Sequence, residues 1–230
     1  MNQVIAIQQP NYLPWLGYFE QINKADTFVF LENVQYENRE WQNRNRLKGF
    51  DEKPFYLTVP LQSHPSNSNI CDIRISHTEK KWRKKHLRSI EMTLGKAPYF
   101  SEIYPHIENW LLYDYEYLAD LNIAGIKIFS SIMGLSTRFV KASKLSPKGK
   151  KTALIVDICK KTSAKVYYSS VGAKAYMEND RHLFSMANIQ IEYQNWHHPV
   201  YKQRGNHFVS HLSILDALMN IGIEKTKAII

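Results

Sequence analysis

Val4-Ile5-Ala6-Ile7-Gln8-Gln9-Pro10 opens the stretch of sequence that decides the fold, and Thr27-Phe28-Val29-Phe30-Leu31 closes it. The first apolar run predicts a buried strand that ends where Gln8, Gln9 and Pro10 begin a loop. Gly17 to Ile22 predicts the start of a helix, and the β-branched and aromatic residues 27–31 predict a second strand. This order is a βαβ unit, so we expect both strands to lie in one parallel sheet.

The rest of the chain continues to alternate predicted strands and helices. Further strands are predicted at 55–60, 73–75, 136–140, 165–168 and 189–193, and helices at 80–94, 103–133, 152–161, 172–178 and 214–220. The polar residues 33–51 predict a long loop. The sequence therefore predicts an α/β fold, with a mainly parallel sheet flanked by helices.

A Lys/Ser/Pro/Gly-rich segment at Lys144–Lys151 predicts a linker. It divides the chain into an N-terminal α/β core, residues 1–143, and a C-terminal α/β portion, residues 144–230. One continuous domain is the alternative, because 230 residues fit one large domain.

Composition narrows the class of partner. The chain has 30 Lys+Arg against 21 Asp+Glu, a formal charge of +9, which favours an anionic partner such as a nucleotide sugar, a tRNA or a membrane surface. The alternative is an ordinary basic protein, since the charges lie in several short clusters. Cys71 and Cys159 lie far apart, and neither a signal peptide nor a membrane-spanning run is present. We expect a cytoplasmic protein without integral membrane contact.

The loop after the first strand is the first candidate binding segment, because open α/β sheets place ligands at the carboxyl ends of their strands. It offers amide groups at Gln9 and phenols at Tyr12 and Tyr18. These groups suit a phosphorylated sugar. A stiff turn that caps the core is the structural alternative.

A second candidate segment follows the second predicted strand and contributes polar and aromatic residues. They are Gln35, Trp41, Asn43, Arg44 and Asn45. An arginine fork binds phosphate and the amides bind hydroxyl or carbonyl groups, while a tryptophan among such residues is typical of stacking. A solvated loop is the alternative.

A third candidate lies on the basic helix, where His86 could serve as a general base and Lys85 as a clamp for phosphate or carboxylate. A structural histidine is the alternative. No metal site is expected, because the four C-terminal histidines lack cysteine neighbours and a His-x-x-Glu-His pattern. They are His197, His198, His207 and His211.

Several blocks together resemble the WbqC-like protein family over nearly the whole chain. The most specific block is Gln9-Pro10-x-Tyr12-x-Pro14-Trp15-x-Gly17-Tyr18-Phe19. The others include Val34-Gln35, Trp41-x-Asn43-Arg44-Asn45, Trp82-x-x-Lys85-His86 and Leu212-Ser213-x-Leu215-Asp216. The resemblance implies a transferase of bacterial lipopolysaccharide O-antigen biosynthesis, which acylates the amino group of a sugar, with glycine as one candidate acyl group.

Three functions follow from these expectations. The first is acylation of a nucleotide-linked amino sugar by an activated acyl or aminoacyl donor, without a firmly implied cofactor. The second is an ATP-dependent amino-acid ligase on a nucleotidylyltransferase-like fold, although Leu16-Gly17-Tyr18 lacks both histidines of that fold's His-x-Gly-His motif. The third is a non-catalytic module that binds RNA, such as a tRNA, or a partner protein.

Overall fold

The computed structural model describes residues 3–79 and 81–230. Met1, Asn2 and Lys80 lie outside the described residues. The predicted start of the basic helix at residue 80, and the first two residues of the segment examined for a signal peptide, therefore lie outside them too. The chain divides into two compact units that interleave along the sequence. The sheet unit consists of Met1–Gln9, Tyr18–Asn33 and Leu135–His197, and the helical unit of Pro10–Gly17, Val34–Gly134 and His198–Ile230. The boundary predicted at residue 143 falls inside the sheet unit.

The sheet unit is built on a five-stranded sheet in which every pairing is parallel. Its strands are β1 (Val4–Gln8), β2 (Thr27–Phe30), β5 (Arg138–Lys141), β6 (Val166–Ser169) and β7 (Gln190–Tyr193). Its helices are α1 (Leu16–Lys24), α5 (Ala142–Leu145), α6 (Thr152–Lys161), α7 (Lys174–Asn179) and α8 (Arg181–Met186). The predicted α/β fold with a parallel sheet is confirmed.

In the strand order β5-β2-β1-β6-β7, β1 lies between β2, the next strand in sequence, and β6, which comes much later in the chain. The direction of winding therefore reverses at β1. In open α/β sheets such a reversal leaves a crevice at the carboxyl ends of the two strands that flank it. Here those ends are Gln8 of β1 and Ser169 of β6.

Aromatic packing forms one side of the sheet unit's core. Phe28 and Phe30 are fully buried, and their ring centroids lie 5.3 Å apart. Phe139 on β5 stacks on Phe30 at 5.4 Å. Burial of these rings stabilises the sheet by the transfer of apolar surface out of water.

A buried polar network also belongs to the sheet unit. Glu20 accepts a hydrogen bond from Tyr168 Oη at 2.8 Å and one from Gln194 Nε2 at 2.6 Å. Gln21 Nε2 donates to Gln194 Oε1 at 2.9 Å and its Oε1 accepts from Gln8 Nε2 at 3.0 Å. The network joins α1 to the carboxyl ends of three strands, and each bond offsets the cost of burying a polar group.

The helical unit combines an antiparallel hairpin with four longer helices. The hairpin strands are β3 (Arg44–Lys48) and β4 (Pro54–Thr58), and the helices are α2 (Trp82–Leu94), α3 (Phe100–Leu112), α4 (Leu118–Ile132) and α9 (Ile214–Ala228). Single turns of 3-10 helix lie at Ile70–Asp72 here and at Val171–Ala173 in the sheet unit. No helix in the described part of the chain is long and apolar enough to cross a bilayer.

Several predicted elements differ from the structure. The helical stretch predicted through residues 111–123 is interrupted between α3 and α4, at residues 113–117. The segment 33–51 was predicted as a loop but contains β3. The strand pattern was hidden because one of its buried inward residues, Asn45, is polar while the other, Leu47, is apolar. Residues 73–75 form only isolated bridges and not a strand. Helix α9 continues past the predicted end at Asn220 through a kink, where Gly222 has a φ of 83° that glycine adopts without strain.

Glu32 fixes the edge of the sheet unit, and its removal provides a test. This carboxylate is 1% exposed and accepts backbone N–H bonds from Ala142 at 3.0 Å and Ser143 at 3.1 Å. In Glu32→Gln an amide N–H replaces one acceptor, so we expect a loss of about 1–3 kcal/mol in the free energy of unfolding. Urea denaturation at neutral pH measures it, with the exposed Glu37→Gln as control. Equal stability of the two variants would contradict the role of Glu32.

Candidate functional site

Tyr12 and His86 are joined in the interior of the helical unit. Tyr12 Oη lies 2.8 Å from His86 Nδ1, and both side chains are buried. His86 Nε2 lies 3.2 Å from the carbonyl oxygen of Thr58. Because a carbonyl oxygen only accepts, Nε2 carries the proton and Nδ1 accepts from Tyr12. Both ring nitrogens of His86 are therefore engaged.

Burial sets the protonation states of this pair. Desolvation lowers the pKa of His86 to about 4, against a smaller raising effect of its bond to Thr58. Desolvation also raises the pKa of Tyr12 far above its ordinary value. At neutral pH the imidazole and the phenol are both uncharged.

Two asparagines hold the loop that contains Tyr12. Asn45 Nδ2 donates to the carbonyls of Tyr12 at 3.0 Å and Leu13 at 2.7 Å. Asn122 Nδ2 donates to the carbonyls of Pro10 at 2.9 Å and Gln42 at 2.7 Å. The segments 10–13 and 41–46 are therefore fixed side by side, and Leu13 is kept at a φ of 46° that a leucine rarely adopts.

A cavity of about 460 Å³ adjoins these bonded segments. Its volume lies in the range of roughly 300–1,000 Å³ that is usual for small-molecule sites. The polar part of its lining comes from both sides of the hairpin region and consists of Tyr36, Asn38, Arg39, Asn43, Thr58, Gln62, Ser63 and His64. We call it the Asn43 cavity.

Asn43 is the most informative residue of this cavity. Its side chain is 9% exposed, and its Nδ2 donates to the carbonyl of Val59 at 3.2 Å. Its Oδ1 is buried and has no hydrogen-bond partner among residues 3–79 and 81–230. A buried acceptor without a partner costs about 1–3 kcal/mol.

His64 lines the same cavity and has a different environment from His86. Its Nδ1 lies 3.1 Å from the carbonyl oxygen of Pro65, so in the neutral ring Nδ1–H donates this bond and Nε2 is the acceptor nitrogen. Nε2 has no partner in the described part of the chain. The ring meets Tyr36 edge-on at a centroid distance of 5.2 Å. Burial raises the pKa of Tyr36 to about 12, although nearby Arg44 lowers it in part.

An aromatic and arginine surface adjoins the cavity on the outward face of the hairpin. Arg44 lies 4.5 Å from the centroid of the Tyr56 ring, and Arg46 lies 5.5 Å from that of Trp41. The two rings lie 6.4 Å apart and are 46% and 39% exposed, respectively. Arg44 pairs across the hairpin with Thr58, which lines the cavity. We call these four residues the stacking platform.

The predicted site residues separate into three groups. Asn43 lines the cavity, and Trp41 and Arg44 belong to the platform beside it. Tyr12, Asn45 and His86 are brought together as buried anchors. Gln35 is exposed, and its Nε2 donates to the carbonyl of Ser66 at 3.0 Å.

The remaining predicted residues lie elsewhere. Lys85 is exposed on α2 and lines a surface concavity of about 760 Å³ with Lys81, Lys84 and Arg88. Gln9 and Tyr18 belong to the sheet unit, where Tyr18 Oη donates to the carbonyl of Gln9 at 2.9 Å. Neighbouring positions in sequence, such as Lys85 and His86, thus differ completely in exposure.

Sequence reasoning missed Arg39, Tyr56, Thr58, Gln62 and His64. Thr58 falls in Leu57-Thr58-Val59-Pro60, another block of the family resemblance, whereas no motif marks the other four positions. The pairing of β3 with β4 brings Thr58 opposite Arg44, next to Asn43. Among the C-terminal histidines, His198 and His211 pack on Trp15, with ring centroids at 6.1 Å and 4.7 Å. Within the described ranges no three His, Cys, Asp or Glu side chains form a group that could hold a metal ion.

Comparisons with known proteins give a family and one relative. The model of the WbqC-like protein family matches residues 9–228. An uncharacterized protein of Mycobacterium tuberculosis (strain ATCC 25618 / H37Rv), Rv1507c, is 31% identical over 227 residues, which cover 96% of this chain and 94% of the relative. No solved structure matches the chain significantly.

The Tyr12–His86 bond makes a prediction about stability. Tyr12→Phe removes the donor and leaves His86 Nδ1 buried without a partner, so we expect a loss of about 1–3 kcal/mol in the free energy of unfolding. Urea denaturation measures it. Tyr56→Phe removes a hydroxyl from an exposed ring and serves as the matched control. A Tyr12→Phe variant as stable as the control would show that the bond contributes nothing.

The low pKa of His86 predicts a pH dependence of stability. The unfolded chain binds a proton at His86 near pH 6.5, and the folded chain only near pH 4. Stability from this group is therefore complete above the unfolded pKa and falls as the pH drops toward 4. We expect a loss of about 2 kcal/mol between pH 7 and pH 5. Urea titrations at both pH values test this, and His86→Gln should reduce the difference by about that amount.

Proposed function

The chain belongs to the WbqC-like protein family, and on that premise we propose that it is a transferase that acylates the amino group of a nucleotide-linked amino sugar. Glycyl is one candidate acyl group. The observation that supports this proposal most strongly is the Asn43 cavity, where a buried amide oxygen without a partner shares a lining with His64. A cavity of about 460 Å³ is large enough for a sugar ring.

The chemistry of acyl transfer to an amine explains the choice of these two groups. The amine attacks the carbonyl carbon of the activated donor, a C–N bond forms, and the bond from the acyl carbon to the leaving group breaks. The amine attacks only when it is unprotonated, so a base must take a proton. In the proposal Asn43 Oδ1 accepts one N–H bond and orients the amine, and His64 Nε2 takes the proton.

His64 replaces His86 as the proposed base for a physical reason. The two nitrogens of His86 are occupied by Tyr12 and Thr58, and burial lowers its pKa to about 4. His86 then acts as a positioning residue, because Thr58 is bonded to it and lines the cavity. Asn45 holds the loop that contains Tyr12 through its bond to the Tyr12 carbonyl, and in the proposal Tyr12 in turn holds His86 in place.

The stacking platform supports the nucleotide part of the substrate. Trp41 and Tyr56 present exposed ring surface on which a nucleobase can stack. Arg39 lines the cavity and Arg44 pairs with Thr58 beside it, and in the proposal their guanidinium groups bind a diphosphate. Binding roles for Gln9, Tyr18 and Gln35 stay predictions.

The donor is proposed to be anionic. Lys81, Lys84, Lys85 and Arg88 are exposed along one face of α2, at positions three and four residues apart. Such a row suits the phosphates of an aminoacyl-tRNA or of another phosphate-bearing acyl donor. Lys85 is therefore proposed to bind the donor. The cytoplasm, where nucleotide-linked substrates occur, is the proposed compartment.

A second candidate is the ATP-dependent amino-acid ligase. The observation that favours it is the reversal of winding at β1 in the sheet unit, since nucleotides bind at such points in many open α/β sheets. Product formation that requires ATP and a free amino acid would favour this ligase, and product formation from a preactivated donor alone would favour simple transfer.

The proposal is tested by mass spectrometry of candidate reactions. The full chain is incubated with nucleoside-diphosphate amino sugars and activated donors, with and without ATP. We expect one sugar to gain the mass of the acyl group less one hydrogen, which equals the mass of the free carboxylic acid less water. His64→Ala should lower kcat by about 100-fold to 10,000-fold with a smaller change in KM, since it removes the base.

His106→Ala is the matched control, because His106 is an exposed histidine of α3 outside the cavity lining. It should leave kcat unchanged. If no sugar gains mass with any donor, the proposed function is wrong. If a product forms and His64→Ala is as active as His106→Ala, the transfer stands and the assigned base is wrong.

A further inference from the structure

A second cavity of the helical unit lies at the carboxyl end of α2, and its volume is about 250 Å³. Three of its lining residues are cationic, namely Lys96, Lys202 and Arg204, and the lining contains no carboxylate. It shares no lining residue with the Asn43 cavity. It is therefore separate from the site of the proposed function.

The three cations come from segments that are distant in sequence. Lys96 follows α2, and Lys202 and Arg204 lie in the loop before α9. In the described part of the chain Lys96 and Lys202 form no hydrogen bond or ion pair. Arg204 donates to the carbonyl of Thr93 at 3.2 Å and lies 4.6 Å from the Phe50 ring centroid. Positive side chains that line one cavity repel one another, although Arg204 also lines a neighbouring cavity with Glu52 and Asp216.

The loop that presents two of these cations is held rigidly. Lys48 Nζ is buried and donates to the carbonyl of Arg204 at 2.8 Å. Gln203 is 9% exposed and forms two hydrogen bonds with the backbone of Val209. Its Nε2 donates to the Val209 carbonyl and its Oε1 accepts from the Val209 N–H, both at 2.8 Å. Glu52 accepts the N–H of Asn206 at 3.1 Å. The backbone of this loop is thus held in place, and a ligand need not order it.

Stabilisation of the α2 dipole accounts for only part of this arrangement. A cation near the carboxyl end of a helix is favourable, and the bond from Arg204 to Thr93 fits that role. Lys202 lies in the lining beside Asn220 of α9 and donates to no carbonyl of α2. Stabilising the carboxyl end of one helix does not require three cations in the same cavity lining.

We propose that this cavity binds a small molecule through a phosphate or pyrophosphate group. Three cations exceed what a single carboxylate needs and match the charge of a pyrophosphate, which the arginine fork and the lysine ammoniums can share. The neutral amides of Gln203 and Asn220 add polar groups to the same lining. The site is independent of the acyl-transfer proposal.

Isothermal titration calorimetry with inorganic pyrophosphate at constant ionic strength tests the site. We expect saturable binding at one site in the wild-type chain and a loss of about tenfold or more in affinity in the double variant Lys96→Ala, Lys202→Ala, because a charged hydrogen bond contributes over 1 kcal/mol. Neither side chain forms a hydrogen bond or ion pair in the described part of the chain, so their removal should not lower the melting temperature without ligand. Phosphate should bind more weakly than pyrophosphate, and acetate should not bind.

The matched control is the double variant Lys161→Ala, Lys165→Ala, which removes the same charge from exposed positions of the sheet unit. It should change the affinity by less than about twofold. Loss of affinity equal to that of the first variant, binding without saturation, or acetate binding as tight as that of pyrophosphate would each overturn the proposal. Sugar acylation is measured separately, so failure of either proposal leaves the other readable.

Discussion

The hydrogen bond from Tyr12 to His86 is the constraint on which the helical unit depends, because it joins two residues that are 74 positions apart. The bond and the contact of His86 with Thr58 connect the first loop, helix α2 and the hairpin at one buried point. Neither polar ring could be buried without its partners. Asn45 and Asn122 extend the same principle to backbone carbonyls that would otherwise be buried without a donor.

The Asn43 cavity lies next to the residues that the Tyr12–His86 bond connects. With His86 fixed and neutral, Thr58 and Asn43 are held at the wall of a cavity whose other polar groups come from residues 36–39 and 62–64. Tyr12 and His86, buried residues of the motifs, are thus connected to the cavity wall at Thr58, and the residues to which the proposed function assigns chemistry belong to that lining. Both ring nitrogens of His86 have hydrogen-bond partners, whereas a general base needs an accessible lone pair.

Much of the fold could be predicted from the chain, and part of the site could not. All five sheet strands were predicted within about two residues of their observed bounds, and the central ones, such as β1 at Val4–Gln8, were found because buried parallel strands are nearly continuous in apolar residues. Strand β3 was missed because its inward position is the polar Asn45. Asn43, Trp41 and Arg44 were predicted as binding residues and lie at the cavity and platform, whereas His64 has no motif and depends on the chain turning back through β4.

By itself the sequence determined the α/β class, the parallel sheet and the segments rich in binding groups, because periodicity and residue type are local properties. Only the tertiary structure decided that the two units interleave along the chain, that Lys85 is exposed while His86 is buried, and that Asn43 Oδ1 is without a partner. The physical reason is that burial and pairing depend on contacts between distant residues. A histidine's protonation and reach are fixed by its neighbours in space, and those neighbours are not encoded at its own position.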